Sequence, residues 1–251
     1  CALPISSLTI NHPIGSGFRA EATINPDFSQ IESDPAQLDA NTTYALSLPE
    51  RRPFFQEGSD LLETPLRTMY TRSINAPIGA VKLTRRGNRS GLLVLGARDQ
   101  QAPMLLPMEE RSRLLEAGRS VSSLVRWRRD LGGSSYVGTA LTGRRLDQGG
   151  SSATLGIDGR KRFGTRFAAR WQTTLSRTRE PVDSALSAPV DGRRFGDAGL
   201  TSGFDGEEFF GHAGFLELER ASRHWDTELS YETVSPSFRA PLGFVNRSAY
   251  R

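Results

Sequence analysis

The chain carries a single cysteine, Cys1, among its 251 residues. That excludes an internal disulfide framework and a cysteine-based zinc site. Lysine is nearly absent too: Lys82 and Lys161 are the only two, and every other basic residue is arginine. The three histidines, His12, His212 and His224, fall in separate segments with no HxH or HxxxH spacing, so no metal site is expected from them. There is no phosphate-binding loop and no Gly-x-Ser-x-Gly elbow, and no cofactor is implied. Long hydrophobic runs are missing. The longest, 91–97, falls far short of the roughly 20 residues a helix needs to cross a bilayer. The net charge of +4 is spread along the chain with no basic tail or block, which argues against a nucleic-acid partner. A hydrophobic share of 37% is low for a globular chain of this length.

What the sequence does contain is alternation with a period of two, the pattern of a half-buried β-strand. In 16–25, Phe18, Ala20, Ala22 and Ile24 share one face, against Arg19, Glu21, Thr23 and Asn25. The stretch 41–48 sets Tyr44, Leu46 and Leu48 against Thr43, Ala45 and Ser47. Candidates follow at 66–74, 77–86 and 90–99, the last apolar on both faces in its middle. The second half is clearer, with strands expected over 120–129, 134–144, 151–161, 165–178, 207–220 and 223–233. In 165–178, Phe167, Ala169, Trp171 and Leu175 face one way, and Arg166, Arg170, Gln172, Thr174 and Ser176 the other. About eleven strands are legible by this count. They make one partial domain over 1–251, with an irregular insert at 25–64 and continuous strand structure from about 66 onward.

From residue 86 onward, short connections (86–90, 130–134, 161–165, 221–223) alternate with longer ones (100–119, 144–151, 179–206, 234–242). A soluble sandwich has no reason to keep that parity. A transmembrane barrel does, with short turns on one side and longer loops on the other. Trp127, Tyr136, Phe163, Phe167 and Trp225 lie near the short turns, where a membrane interface favours amphipathic rings. The fold predicted is all-β: an antiparallel up-and-down transmembrane β-barrel, incomplete here, with the lipid bilayer as partner. A soluble curved sheet with one solvated face is the alternative.

The charged faces of these strands offer candidate lumen-facing residues: Arg126, Arg128, Arg166, Arg170, Asp226, Glu228 and Glu232. Four arginines facing one lumen would favour anions; a mixed ladder pairs them with the three carboxylates instead, and that is the expected arrangement. Glu50, Glu57, Asp60 and Glu63 hold the residue types of a glycosidase acid/base pair, but Glu50 sits beside Arg51 and Arg52 and is expected in a structural ion pair. The acidic stretch Asp27, Glu32, Asp34 and Asp39, and the loop residues Asp191, Asp197 and Asp205, lack the spacing of a calcium loop. No catalytic residue is assigned.

Four segments carry a family resemblance. Asn25-Pro26-Asp27-Phe28-Ser29-Gln30-Ile31-Glu32 and Leu48-Pro49-Glu50-Arg51-Arg52-Pro53-Phe54-Phe55-Gln56-Glu57-Gly58 come first. Arg128-Arg129-Asp130-Leu131-Gly132-Gly133-Ser134 and Leu242-Gly243-Phe244-Val245-Asn246-Arg247 follow in order. Together they resemble a large, uncharacterised bacterial outer-membrane barrel domain. That domain typically follows an N-terminal domain like the family-9 carbohydrate-binding module. The resemblance implies a Gram-negative outer-membrane location and passage or docking of a substrate, with a saccharide as the ligand such a preceding domain would collect. Family members carry hydrolase labels, which would rest on that other domain. A membrane-embedded carbohydrate hydrolase and a purely structural membrane anchor are the rival functions. The absence of an initial Met, and the break inside a strand at Tyr250-Arg251, favour a piece of a longer chain over a lipid-modified Cys1. The family motif residues Asn25, Pro26, Asp27, Phe28, Ser29, Gln30, Glu50, Arg51, Arg52, Pro53, Phe54, Phe55, Glu57 and Gly58 are expected to be structural. By turn parity, Pro49 to Thr64 should plug or brace the short-turn end.

Overall fold

The computed structural model describes residues 7–26, 45, 47–190, 192, 194–196 and 199–250. In chain order the strands are β1 (Leu8–Gly15), β2 (Phe18–Ile24), β3 (Pro77–Arg86), β4 (Ser90–Asp99), β5 (Pro103–Pro107), β6 (Ser112–Glu116) and β7 (Ser120–Gly132). Then come β8 (Ser135–Leu146), β9 (Ser151–Phe163), β10 (Phe167–Arg179), β11 (Arg194–Phe195), β12 (Leu200–Thr201), β13 (Glu208–Ala221) and β14 (Asp226–Val234). Two helices of one turn, α1 (Pro53–Gln56) and α2 (Ser184–Ser187), lie in the connections.

Ten strands form one antiparallel sheet in the order β1-β2-β3-β4-β7-β8-β9-β10-β13-β14, and β5–β6 and β11–β12 are separate ribbons. Every neighbour in the large sheet is the next large strand along the chain, which is up-and-down topology. An incomplete sheet was expected, and among the described residues no closed barrel forms: β1 pairs only with β2, and β14 pairs with β13 apart from a single bridge between Val234 and Tyr250, so the sheet is open at both ends.

The two faces of the sheet invert the usual distribution of a soluble protein. On the open face, register places Leu83, Val94, Val125, Leu141, Leu155 and Leu175 side by side across six strands. Val125, Leu141, Leu155 and Leu175 are all exposed. The covered face carries Ser120, Ser122, Arg126, Thr142, Arg144, Thr154, Asp158, Gln172, Thr174 and Ser176, all buried. Several of those polar groups bond to one another across the strands, and Arg126 and Gln172 also bond to the covering segment, while the Ser120 hydroxyl has no partner. Thr142 and Thr154 share a 2.7 Å hydroxyl–hydroxyl bond, as their direct cross-strand register requires.

Two irregular segments fill the covered face. In the first, α1 and the residues after it place Phe54, Phe55, Leu61, Leu62, Met69 and Ile74 against Leu93, Leu95, Leu124 and Ala140 of the sheet. The segment runs the length of the strands. Asp60 pairs with Arg86 at the short-turn end, while the Asn75 and Ala76 N–H groups donate to Asp99 at the long-connection end, both at 2.8 Å. The second segment, 235–250, seats Phe238 with Leu66, Ala213, Val234 and Val245. Gly211 is required there: a Cβ would stand 2.4 Å from the Phe238 Cα.

Four sequence expectations are corrected. Residues 66–74 are not a strand: Pro65 has no N–H to give a ladder, the Leu66 N–H donates to Gln172 Oε1 at 2.8 Å, and Tyr70 donates to the Leu242 carbonyl. Strand structure therefore resumes at Pro77, not 66. Residues 8–15 form a strand that Pro13 obscured, and Proline is tolerated there because β1 is an edge. The 100–119 loop contains the β5–β6 hairpin. Finally, Tyr136 faces the covered side, stacked on the Arg128 guanidinium at 4.1 Å, whereas Trp127, Phe163, Phe167 and Trp225 are exposed. Of the expected strand 41–48, residues 41–44 and 46 lie outside the described residues.

Candidate functional site

At the long-connection end, the covered face of the sheet, the β5–β6 hairpin and the segments 70–75 and 239–244 enclose a cavity of about 370 Å³. Its body is apolar, with Met104, Leu105, Leu114 and Leu146 among the lining side chains. Its charged groups are Arg144 from β8, Arg239 from the final segment, the half-buried Arg72, and Glu180 just past β10, with Glu116 and Arg179 exposed at the rim. A concave apolar body with a small number of placed polar groups is the usual make-up of a small-molecule site.

Each polar group is held from a different direction. Arg144 donates through Nη1 to the Pro103 carbonyl at 2.6 Å, through Nη2 to the Ser73 carbonyl and through Nε to Ser122 Oγ at 3.2 Å. Those contacts tie β8 to the hairpin and to segment 70–75. Arg239 Nη1 donates to the Pro236 and Phe238 carbonyls, each at 2.9 Å, and its guanidinium lies over the rings of Phe195 and Phe209. Its Nε is buried with no hydrogen-bond partner. Burial lowers the Arg239 guanidinium to about 10, against the opposing pull of Glu180, so it stays charged at neutral pH.

Glu180 accepts from the Phe204 N–H at 3.1 Å. Burial is the first cause pushing its carboxyl up to about 7. Arg239 opposes the rise, while the nearby carboxylates of Glu207 and Asp205 add to it. Oxygens of these three acids come within 4.8 Å of one another, but only Glu180 borders the cavity. The unfolded chain releases this proton near 4.5, the folded one near 7. Between those values the folded state binds a proton that the unfolded state lacks, so stability falls as pH rises through that window. We expect Glu180→Gln to flatten the change in urea midpoint between pH 4.5 and 7. The variant should match the wild type at pH 4 and exceed it at pH 8. The amide oxygen keeps the bond from Phe204, so a lower midpoint at pH 8 would contradict the assignment.

The candidate residues fall in three groups, two of them read from the sequence and one not. The motif 50–58 packs into the covered face of the sheet. Arg52 is fully buried, donating to both Glu50 oxygens and to the Ile74 and Thr71 carbonyls. Burial raises the Glu50 carboxyl, but Arg52 and Thr71 outweigh it and hold the group below the usual carboxylate value. Pro53 opens α1, where its missing N–H costs nothing. Phe54 and Phe55 meet edge-to-face at 5.0 Å. Glu57 pairs with Arg19 at 3.2 Å, Gly58 adopts φ +84°, and Arg51 is exposed. Asn25 donates its N–H to the Ile78 carbonyl at 2.7 Å, with Pro26 beside it. Asp27, Phe28, Ser29 and Gln30, like Glu32, Asp34, Asp39, Asp191 and Asp197, lie outside the described residues.

The second group is the lumen set, where the expected pairing is corrected. Arg126 pairs with Asp158, Arg128 with Asp130 and Arg170 with Glu217. Asp226, Glu228 and Glu232 are not the partners: β14 joins the sheet only through β13, beyond reach of β7. Asp226 accepts from the Ser222 N–H, and Glu232 from the Tyr250 hydroxyl. Arg166, Asp226 and Glu228 are exposed. The third group is the one sequence reasoning missed. Arg144, Glu180 and Arg239 carry no motif, and the only available signal was a charged residue on the polar face of β8.

Residues 7–89 match the family described as Domain of unknown function (DUF5916). The matched span contains the first two of the four motif segments. No curated protein and no solved structure matches the chain.

Proposed function

We propose that this chain is membrane-embedded, as part of an outer-membrane β-barrel whose interior is packed and whose long-connection end docks a small ligand. The supporting observation is the inverted sheet. A row of aliphatic side chains runs across six strands and is exposed on the four from β7 to β10, while serine, threonine, arginine and aspartate are buried on the other face. In water a contiguous exposed apolar belt marks an interaction or membrane surface; in lipid it is the required outer surface. Docking is favoured over free passage because segments 52–76 and 235–250 fill the covered face along the strands. A carbohydrate hydrolase finds less support, since of the three carboxylates that meet closely only Glu180 borders the cavity.

The test uses the full-length protein expressed in a Gram-negative host. It should fractionate with outer membranes, resist extraction at alkaline pH, float with liposomes after reconstitution, and give little swelling with neutral or anionic sugars. A monodisperse monomer in detergent-free buffer would sink the membrane reading. Rapid swelling with either sugar would replace docking by passage.

A further inference from the structure

The described residues include five buried cationic side chains: Arg52, Lys82, Arg126, Arg144 and Arg239. Three are compensated in the ordinary way. Arg52 pairs with Glu50, Lys82 with Glu21 and Arg126 with Asp158. Arg144 and Arg239 form no ion pair among the described residues, and these are the two that border the cavity. Their acidic neighbours do not fill the gap. Asp99, which faces Arg144, is committed to the N–H groups of Asn75, Ala76 and Gln101. Glu180, which faces Arg239, is occupied by the Phe204 N–H and crowded by two further carboxylates.

Burying a charge without a partner is costly, and buried charges are normally paired. Two such charges on the wall of one cavity, with Arg239 Nε also lacking any acceptor, leave a place for a complementary group. The Arg144 guanidinium has five N–H donors, of which protein acceptors use three. Among the other lining side chains, Met104, Leu105, Leu114 and Leu146 form an apolar stretch that suits an apolar body.

We infer that this cavity binds a small organic anion, an apolar body carrying a carboxylate or phosphate-type head that is neutralised by Arg144 and Arg239. The inference deepens the docking reading by naming the ligand class, and it sets that class apart from a neutral saccharide. A volume of about 370 Å³ lies at the lower end of ligand sites, which matches a small aromatic or branched acid. The anion is the partner that the protein itself withholds from these two cations while supplying one to each of the other three.

The experiment is calorimetric titration of the full-length protein in nanodiscs with naphthalene-2-carboxylate, its neutral carboxamide, and maltose. The carboxylate should bind at least about tenfold more tightly than the carboxamide, the usual scale for a charge-assisted contact, and maltose more weakly than either. Arg239→Gln should lower carboxylate affinity by about tenfold or more and leave the carboxamide unchanged. Arg239→Lys should retain part of the preference. Arg223→Gln, in the opposite turn, should change nothing. Should Arg144→Gln fail to fold for want of its three backbone and hydroxyl contacts, Arg239→Gln decides the matter. A further readout separates binding from scaffolding. Arg239→Gln loses two carbonyl bonds and two ring contacts and so lowers the midpoint of the ligand-free protein in either case, but only an arginine that binds the anion lets saturating carboxylate raise the midpoint of wild type more than that of the variant. Equal binding of carboxylate and carboxamide, carboxylate binding indifferent to Arg239→Gln, or a preference for maltose would each overturn the inference. Liposome flotation is scored separately: a protein that binds the carboxylate but does not float sinks the membrane reading alone.

Discussion

Replacing Asp158 with alanine should lower the stability of the reconstituted protein by about 3–5 kcal/mol, the usual cost of stranding a buried charge. Arg126 is fully buried and Asp158 is 2% exposed. Their bond is bidentate, with Nη1 on Oδ1 and Nη2 on Oδ2, the second at 2.9 Å, while Nε donates to the Leu61 carbonyl at 2.8 Å. The two residues are two strands apart. The guanidinium reaches Asp158 by crossing β8 at Gly138, where a Cβ would come within 2.6 Å of Nη1. Asp158→Ala therefore leaves a guanidinium between the sheet and Leu61 with no anion to pair it. Urea titration in lipid measures the loss. The double variant Arg126→Met, Asp158→Ala should recover much of it, because removing both charges removes the desolvation problem as well. A single variant within about 1 kcal/mol of wild type would show that the pair is not buried as described.

The second large effect is on the other face. Leu155 sits in the middle of the aliphatic row, between Leu141 and Leu175, and is 55% exposed. If that face meets lipid, Leu155→Arg should cost about 2–4 kcal/mol, the figure for an arginine near the bilayer midplane. If it meets water, the same change at an exposed site should fall within about 0.5 kcal/mol. The two expectations do not overlap, so one urea titration in lipid vesicles decides between them. Arg223→Leu, in a tight turn at the sheet's end, should be close to neutral in either case.

How much of this was legible in the sequence depends on how local the signal is. The strands over 77–86 and 90–99, and the six later strands of the large sheet, were readable because each residue's side of the pleat follows from its neighbours two places away. β1 was missed because its alternation of Leu8, Ile10, His12 and Ile14 contains Pro13 and Gly15, which read as turn chemistry. Residues 66–74 were misread because a few alternating side chains resemble a strand even where the backbone bonds to Gln172 and to 242–244 instead of a ladder. The motif around Arg52 could be marked as structural from the Glu50-Arg51-Arg52 cluster. Which arginine took the carboxylate could not be read: Arg52 did, and Arg51 stays exposed.

The sequence by itself determined the all-β class, the faces of the long strands, and the alternation of short and long connections, since period and punctuation are properties of a few consecutive residues. Only the tertiary structure decided the charge pairing. Arg126 meets Asp158 rather than the carboxylates of β14 because strand register and a missing Cβ at Gly138 set the distance. It also decided the cavity. Arg144, Glu180, Arg239 and the β5–β6 hairpin are far apart in the chain, and no local pattern records that they close around one space. Whether a buried cation has a partner is a property of that enclosure, not of the residues on either side of it.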